Sequence, residues 1–196
     1  ILFASILLMF GLLFSPLLSH FKDQVVDSKF SNYQYVLKTP VPTSTEGAEK
    51  YCVTSLINDK DEEITIYGIQ NDSEYVNDKS FEPGSIYLSE GYMEKYGFKK
   101  GHTLTLHDKY SKEEFDFKID DKYDYPASLC IFMNMDDFNT MFGKDKDYFS
   151  GYFTNEKNTD IDETIITSVI TEHDLTVMAD QLEDSMGRIF PMFGGF

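Results

Sequence analysis

The chain has 196 residues and a formal net charge of -17 at pH 7, because 34 acidic side chains outnumber 17 basic ones. Such a charge argues against binding to nucleic acid and against lying on an anionic lipid surface, since both contacts require a basic footprint. Aromatic residues make up 15% of the chain, which argues against a disordered acidic tail and favours a folded domain.

The first eighteen residues, 1–18, carry no ionisable side chain. A run of this length and character matches the hydrocarbon core of a bilayer, so we predict a first transmembrane helix over residues 1–19. A cleaved signal peptide and a buried core helix are the alternatives. Apolar side chains continue at helical spacing through residues 14–25, which predicts that the helix extends outward as a stalk.

The middle of the chain predicts an α+β fold in which mixed or antiparallel sheets carry short helices. Runs rich in β-branched and aromatic residues predict the strands. These runs lie at residues 33–37, 51–57, 63–69, 84–88, 102–106, 114–119, 129–133, 148–153 and 164–170. The second and third flank a polar turn and predict a hairpin. One helix is predicted to be capped by Ser89 and to end at Gly97, and another to begin at Asn134 or Met135 and to end at Gly143.

The last part of the chain predicts a helix that returns to the membrane. Apolar residues recur at three- and four-residue spacing from Leu175 to Ile189, and residues 189–193 are apolar apart from a proline. We predict that residues 184–196 begin a second transmembrane helix, with an amphipathic terminal helix as the alternative. Residues 20–183 would then form an extracytoplasmic α+β domain with stalk helices at both ends.

Cys52 and Cys130 are the only cysteines, and each lies in an apolar run that predicts a strand. In an oxidising compartment the two could form a disulfide. Two buried free thiols explain the same positions equally well, because free cysteine is among the most buried residue types. The sequence leaves both possibilities open.

No residue pattern predicts catalysis, a cofactor or a metal. His102 and His107 have no ligand spacing, and the acidic run around Asp61 lacks the register of a calcium loop and fits a solvated turn. Tyr123 and Tyr125 are predicted to pack in the core, with a ligand-binding surface as the alternative. We therefore expect no enzymatic activity in this chain.

One stretch resembles a known family. Residues 84–106, GSIYLSEGYMEKYGFKKGHTLTL, are similar to the strand, helix, glycine-bounded turn and strand found in the large extracytoplasmic loop of FtsX-like ABC transporter permeases, including the MacB type. The short helix beginning at Met135 and the approach to the end at residues 180–187 also resemble this family. The resemblance implies a MacB-like domain flanked by membrane-connected helices.

The resemblance further implies a multi-pass protein of the cell membrane that works with a separate cytoplasmic ABC ATPase. Such a permease couples ATP hydrolysis inside to movement outside, for export of a peptide or lipoprotein or for control of a cell-wall protein. Its partners would be the ATPase, the lipid bilayer and a peptide, lipoprotein or cell-wall protein, but not nucleic acid. The alternative is a membrane-anchored ligand-binding or sensor domain without a transport role.

Overall fold

The computed structural model describes residues 20, 23–24, 28–126, 128–158, 160–177, 180–181 and 184. The chain divides into two units, of which residues 30–169 form one, and residues 1–29 with 170–196 form the other. The predicted transmembrane helix over residues 1–19 lies outside the described residues, as does all of the predicted segment 184–196 except residue 184. Within the described part of the chain, no helix is long and apolar enough to cross a membrane.

The unit of residues 30–169 is built on a mixed sheet, and this confirms the prediction of an α+β fold with short helices. The strands of the sheet are β1 (Tyr33–Leu37), β2 (Glu49–Ile57), β3 (Glu63–Ile69), β4 (Ile86–Ser89), β5 (Thr103–His107), β6 (Glu114–Lys118), β7 (Asp121–Tyr123), β8 (Cys130–Asn134), β9 (Gly151–Thr154) and β10 (Ile166–Thr171). Two short helices are α1 (Glu90–Tyr96) and α2 (Met135–Met141).

The strand order is β10-β1-β9-β2-β3-β8-β4-β7, and β5 joins both β2 and β6. Strands β3 and β8 are parallel, as are β4 and β7, whereas the other registered pairs are antiparallel. The predicted β2–β3 hairpin is confirmed, with Cys52 opposite Gly68 and Ile57 opposite Glu63. Parallel pairing of β3 with β8 requires a long connection between them, and this connection contains α1, the β5–β6 hairpin and the strands β4 and β7.

Alternate residues of the strands form two hydrophobic clusters on opposite faces of the sheet. On β3, Ile64 and Ile66 belong to the larger cluster, which includes Tyr92 of α1 and Phe138 of α2. Tyr67 of the same strand belongs to the second, which we call the aromatic cluster. Its fully or largely buried members are Tyr51, Tyr67, Ile69, Val76, Phe81, Tyr123, Cys130, Phe132 and Phe153.

Of the two predicted helix caps, one needs correction. Ser89 precedes α1 as expected, but its side chain makes no cap hydrogen bond. Its hydroxyl instead donates to the carbonyl of Ser128 and accepts the N–H of Cys130, so it links β4 to β8. Asn134 does cap α2, since its side-chain oxygen accepts the N–H groups of Asp136 and Asp137.

The first and last strands of the unit of residues 30–169 are neighbours. The N–H of Lys38 donates to the carbonyl of Ile165 at 2.8 Å, and the Lys38 ammonium donates to the carbonyl of Thr164 at 2.6 Å. The chain therefore enters this unit beside the place where it leaves it.

The other unit also brings its two chain segments together. Residues 20, 23–24, 172–177, 180–181 and 184 are helical. The Lys29 ammonium forms an ion pair with the Glu172 carboxylate, which joins the segment before β1 to the segment after β10.

Candidate functional site

One candidate site is a groove beside β5, which we call the β5 groove. Its volume is about 360 Å³, and it opens between α1, the β2–β3 turn and β5. The lining residues are Asn58, Asp59, Lys60, Tyr92, Tyr96, Phe98 and residues 103–106.

Three aromatic rings form one wall of the β5 groove. Tyr92 and Tyr96 are four residues apart on α1, and their ring centroids lie 5.4 Å apart in an edge-to-face contact. Phe98 follows the left-handed Gly97 and stacks on Tyr96 at 5.6 Å. Burial raises the pKa of Tyr92 to about 12, so this phenol stays neutral. The wall is thus an uncharged, largely apolar surface.

The β2–β3 turn closes one end of the groove. The side-chain oxygen of Asn58 accepts the N–H groups of Lys60 and Glu62, and its amide donates to the Tyr96 hydroxyl at 3.1 Å. Glu62 pairs with Lys95 of α1, and this hydrogen bond lowers the pKa of the Glu62 carboxyl. The acidic turn of the sequence is therefore held against the aromatic wall through Asn58 and Glu62.

Positive charge already lies over one of these rings. The ammonium nitrogen of Lys60 is 4.5 Å from the ring centroid of Tyr96, and that of Lys95 is 5.7 Å away. Such distances are within the range of a cation–π attraction. The ring of Tyr96 is thus contacted by Phe98 and by ammonium groups of the chain itself.

A second cleft of about 420 Å³ lies near the end of α2. Phe115 of β6 and Phe142 line it, with ring centroids 4.9 Å apart, together with the carboxylates of Asp108 and Glu113. Lys144 also lines this cleft and carries a positive charge. The β5–β6 hairpin thus contributes residues to both clefts.

Both cysteines are free and buried. Cys52 belongs to the larger cluster and donates to the Asn139 side chain at 3.4 Å, whereas Cys130 belongs to the aromatic cluster. Since β3 lies between their strands and their side chains point to opposite faces, this geometry favours the free-thiol alternative over the disulfide. Burial raises the pKa of Cys52 to about 12 and that of Cys130 to about 11, so both thiols stay protonated.

We expect two free thiols per chain when the protein is denatured without reductant and titrated with Ellman's reagent. In the folded protein the same reagent should react slowly, because both sulfurs are buried. Reaction that requires prior reduction would contradict this result and would favour the disulfide.

The other residues singled out by the sequence do not converge on one site. Tyr123 is buried against Phe132, and Tyr125 stacks on Phe30 at 5.0 Å, so both pack as predicted for the core. His102 accepts the N–H of Lys99 through Nδ1. Within the described residues, no three His, Cys, Asp or Glu side chains are arranged to hold a metal ion.

The β5 groove was not predicted from the sequence. The spacing of Tyr92 and Tyr96 carried a weak signal, since residues four apart share one helix face. Nothing local indicated that β5 would meet β2 at a single residue pair and leave an edge beside α1.

A scan against protein-family models and a search of curated proteins both give no match to this chain.

Proposed function

We propose that this chain is the extracytoplasmic domain of an FtsX-like, MacB-type ABC transporter permease. In this proposal the apolar residues 1–18 and 189–193 connect it to the cell membrane, and a separate cytoplasmic ATPase moves it by hydrolysing ATP. The domain itself is not an enzyme and acts by binding or by transmitting movement.

The main support is the position of the two chain segments. In the unit of residues 30–169, β1 and β10 are neighbours, and in the other unit Lys29 pairs with Glu172. A domain whose chain enters and leaves at neighbouring positions can be inserted between two consecutive membrane spans.

A membrane-anchored sensor is the second candidate, and the β5 groove favours it. A groove of about 360 Å³ with an aromatic wall is large enough to hold part of a ligand. A sensor would use such a groove without any ATPase partner.

The outward location predicts that a cysteine at position 110 is labelled from outside the cell. Tyr110 lies in the β5–β6 turn and is 87% exposed, whereas Cys52 and Cys130 are buried and provide little background. The full-length Tyr110→Cys protein in intact cells should react with a membrane-impermeant maleimide, and the unsubstituted protein should not. Labelling that requires permeabilised cells would contradict the proposal.

The ATPase partner separates the permease from the sensor. Full-length protein isolated from membranes in mild detergent should retain a subunit that carries a Walker A motif and hydrolyses ATP. Isolation without such a subunit, from cells in which position 110 is labelled from outside, would favour the sensor.

A further inference from the structure

We infer that the open edge of β5 binds an extended peptide segment of alternating apolar and cationic residues as an added strand. This inference goes beyond the proposed function, because a permease and an anchored sensor could both use such a site. It rests on the backbone of β5, the aromatic wall of the groove and the charges beside it.

The backbone of β5 has one paired edge and one open edge. Antiparallel strands alternate between residues that hydrogen-bond to the partner and residues that face away. Ile119 donates its N–H to the carbonyl of His102, and Asp108 donates to the carbonyl of Glu113, so even-numbered residues of β5 face β6. The N–H and C=O groups of Thr103 and Thr105 therefore point to the other edge.

That other edge is occupied at one end only. His107 pairs with Ile57 of β2, and within the described part of the chain no strand registers with residues 103–106 on this side. These same residues line the β5 groove. An exposed strand edge of this kind is a template for pairing with another chain, and peptide-binding domains use it in this way.

The two faces of an added strand would meet different surfaces. Leu104 and Leu106 are buried toward α1, so inward side chains of the peptide would contact apolar and aromatic groups such as Tyr96. Outward side chains would lie beside Thr103 and Thr105, and the Thr105 hydroxyl donates at 2.6 Å to the carboxylate of Asp116, which lies one strand farther away in β6. The site thus suits a strand with apolar residues on one face and polar or charged residues on the other.

Charge decides which residues belong on the outer face. The turn that closes the groove carries Asp59, Asp61 and Glu62 against Lys60 and Lys95, and Glu62 is the carboxylate that pairs with Lys95, so a small excess of negative charge remains there. A cationic segment is complementary to this surface and to the net charge of -17. A second copy of this chain carries the same negative charge and would be repelled.

The test uses the full chain and a synthetic peptide in which lysine and valine alternate. Binding should slow hydrogen exchange at the amides of Thr103 and Thr105. A version of the peptide with alternate backbone amides methylated should bind at least about tenfold more weakly, since it loses strand hydrogen bonds. A peptide in which glutamate and valine alternate should bind more weakly than the lysine peptide by a similar factor.

A matched pair of variants tests the same edge on the protein. Thr105→Pro removes the outward N–H, which makes no ladder bond to β6, and should weaken binding at least about tenfold. Thr105→Val keeps the N–H and should bind within about twofold of the unsubstituted chain.

Equal binding of the methylated and unmethylated peptides would overturn the added-strand geometry, and it does so even if Thr105→Pro fails to fold. Equal binding of the glutamate peptide would overturn the cationic occupant. Self-association of the chain without peptide, lost in Thr105→Pro, would identify a second copy as the occupant and overturn the inference.

Discussion

Gly151→Ala should lower the free energy of unfolding by at least about 3 kcal/mol, because the added methyl group has no space. Gly151 lies in β9, opposite Val36 of β1 and Tyr51 of β2. A Cβ atom at this position would lie 1.8 Å from the carbonyl oxygen of Tyr35. The obstacle is backbone, which cannot rotate away as a side chain can, so β1 and β9 would have to separate.

Gly97→Ala is the matched control for this substitution. Gly97 has a φ of +66° at the end of α1, and a Cβ there would meet nothing within 4 Å. Gly97→Ala should therefore lower the free energy of unfolding by only about 1 kcal/mol, because alanine is less stable than glycine in the left-handed backbone conformation. Urea denaturation of the full chain, followed by circular dichroism, measures both. Similar values for the two variants would show that the close approach of β1 to Gly151 is relaxed at little cost.

Much of the fold was predictable because its elements carry local signals. The bounds of β1 and β3 agree with the predicted runs, and α2 begins after its Asn134 cap. β7 was missed because Asp121–Tyr123 has only three residues in an acidic stretch, and it forms by parallel pairing with β4. That pairing depends on β4, which lies some thirty residues earlier in the chain, so no local sequence pattern indicates it.

The role of Ser89 shows the same limit at the level of one side chain. A serine before a helix is typical of a cap, and its place in the sequence was identified correctly. The hydroxyl is instead used by Ser128 and Cys130, because β4 and β8 are neighbours in the sheet. The open edge of β5 was unpredictable for the same reason, since it follows from which strands do not meet.

Phe132→Ala should lower the free energy of unfolding by about 3–5 kcal/mol, the usual cost of removing a buried phenylalanine ring. Phe132 is fully buried in β8 at the centre of the aromatic cluster. Its ring stacks on Tyr67 with centroids 5.4 Å apart and lies 4.7 Å from Tyr123. Phe30 and Tyr125 meet it edge to face at 5.9 and 5.7 Å. The substitution removes four ring contacts and leaves a cavity among side chains that belong to several strands.

Phe132→Leu separates the volume of the ring from its geometry. Leucine retains most of the apolar volume but none of the ring contacts, so its cost should be about 1–1.5 kcal/mol. Tyr110→Ala, at an 87% exposed position, should stay within about 0.5 kcal/mol of the unsubstituted chain. The chain contains no tryptophan, so tyrosine fluorescence can follow unfolding. If Phe132→Ala lowered the free energy of unfolding by no more than Tyr110→Ala, the aromatic cluster would contribute little to stability. In that case the larger cluster beneath α1 and α2 would hold the sheet together.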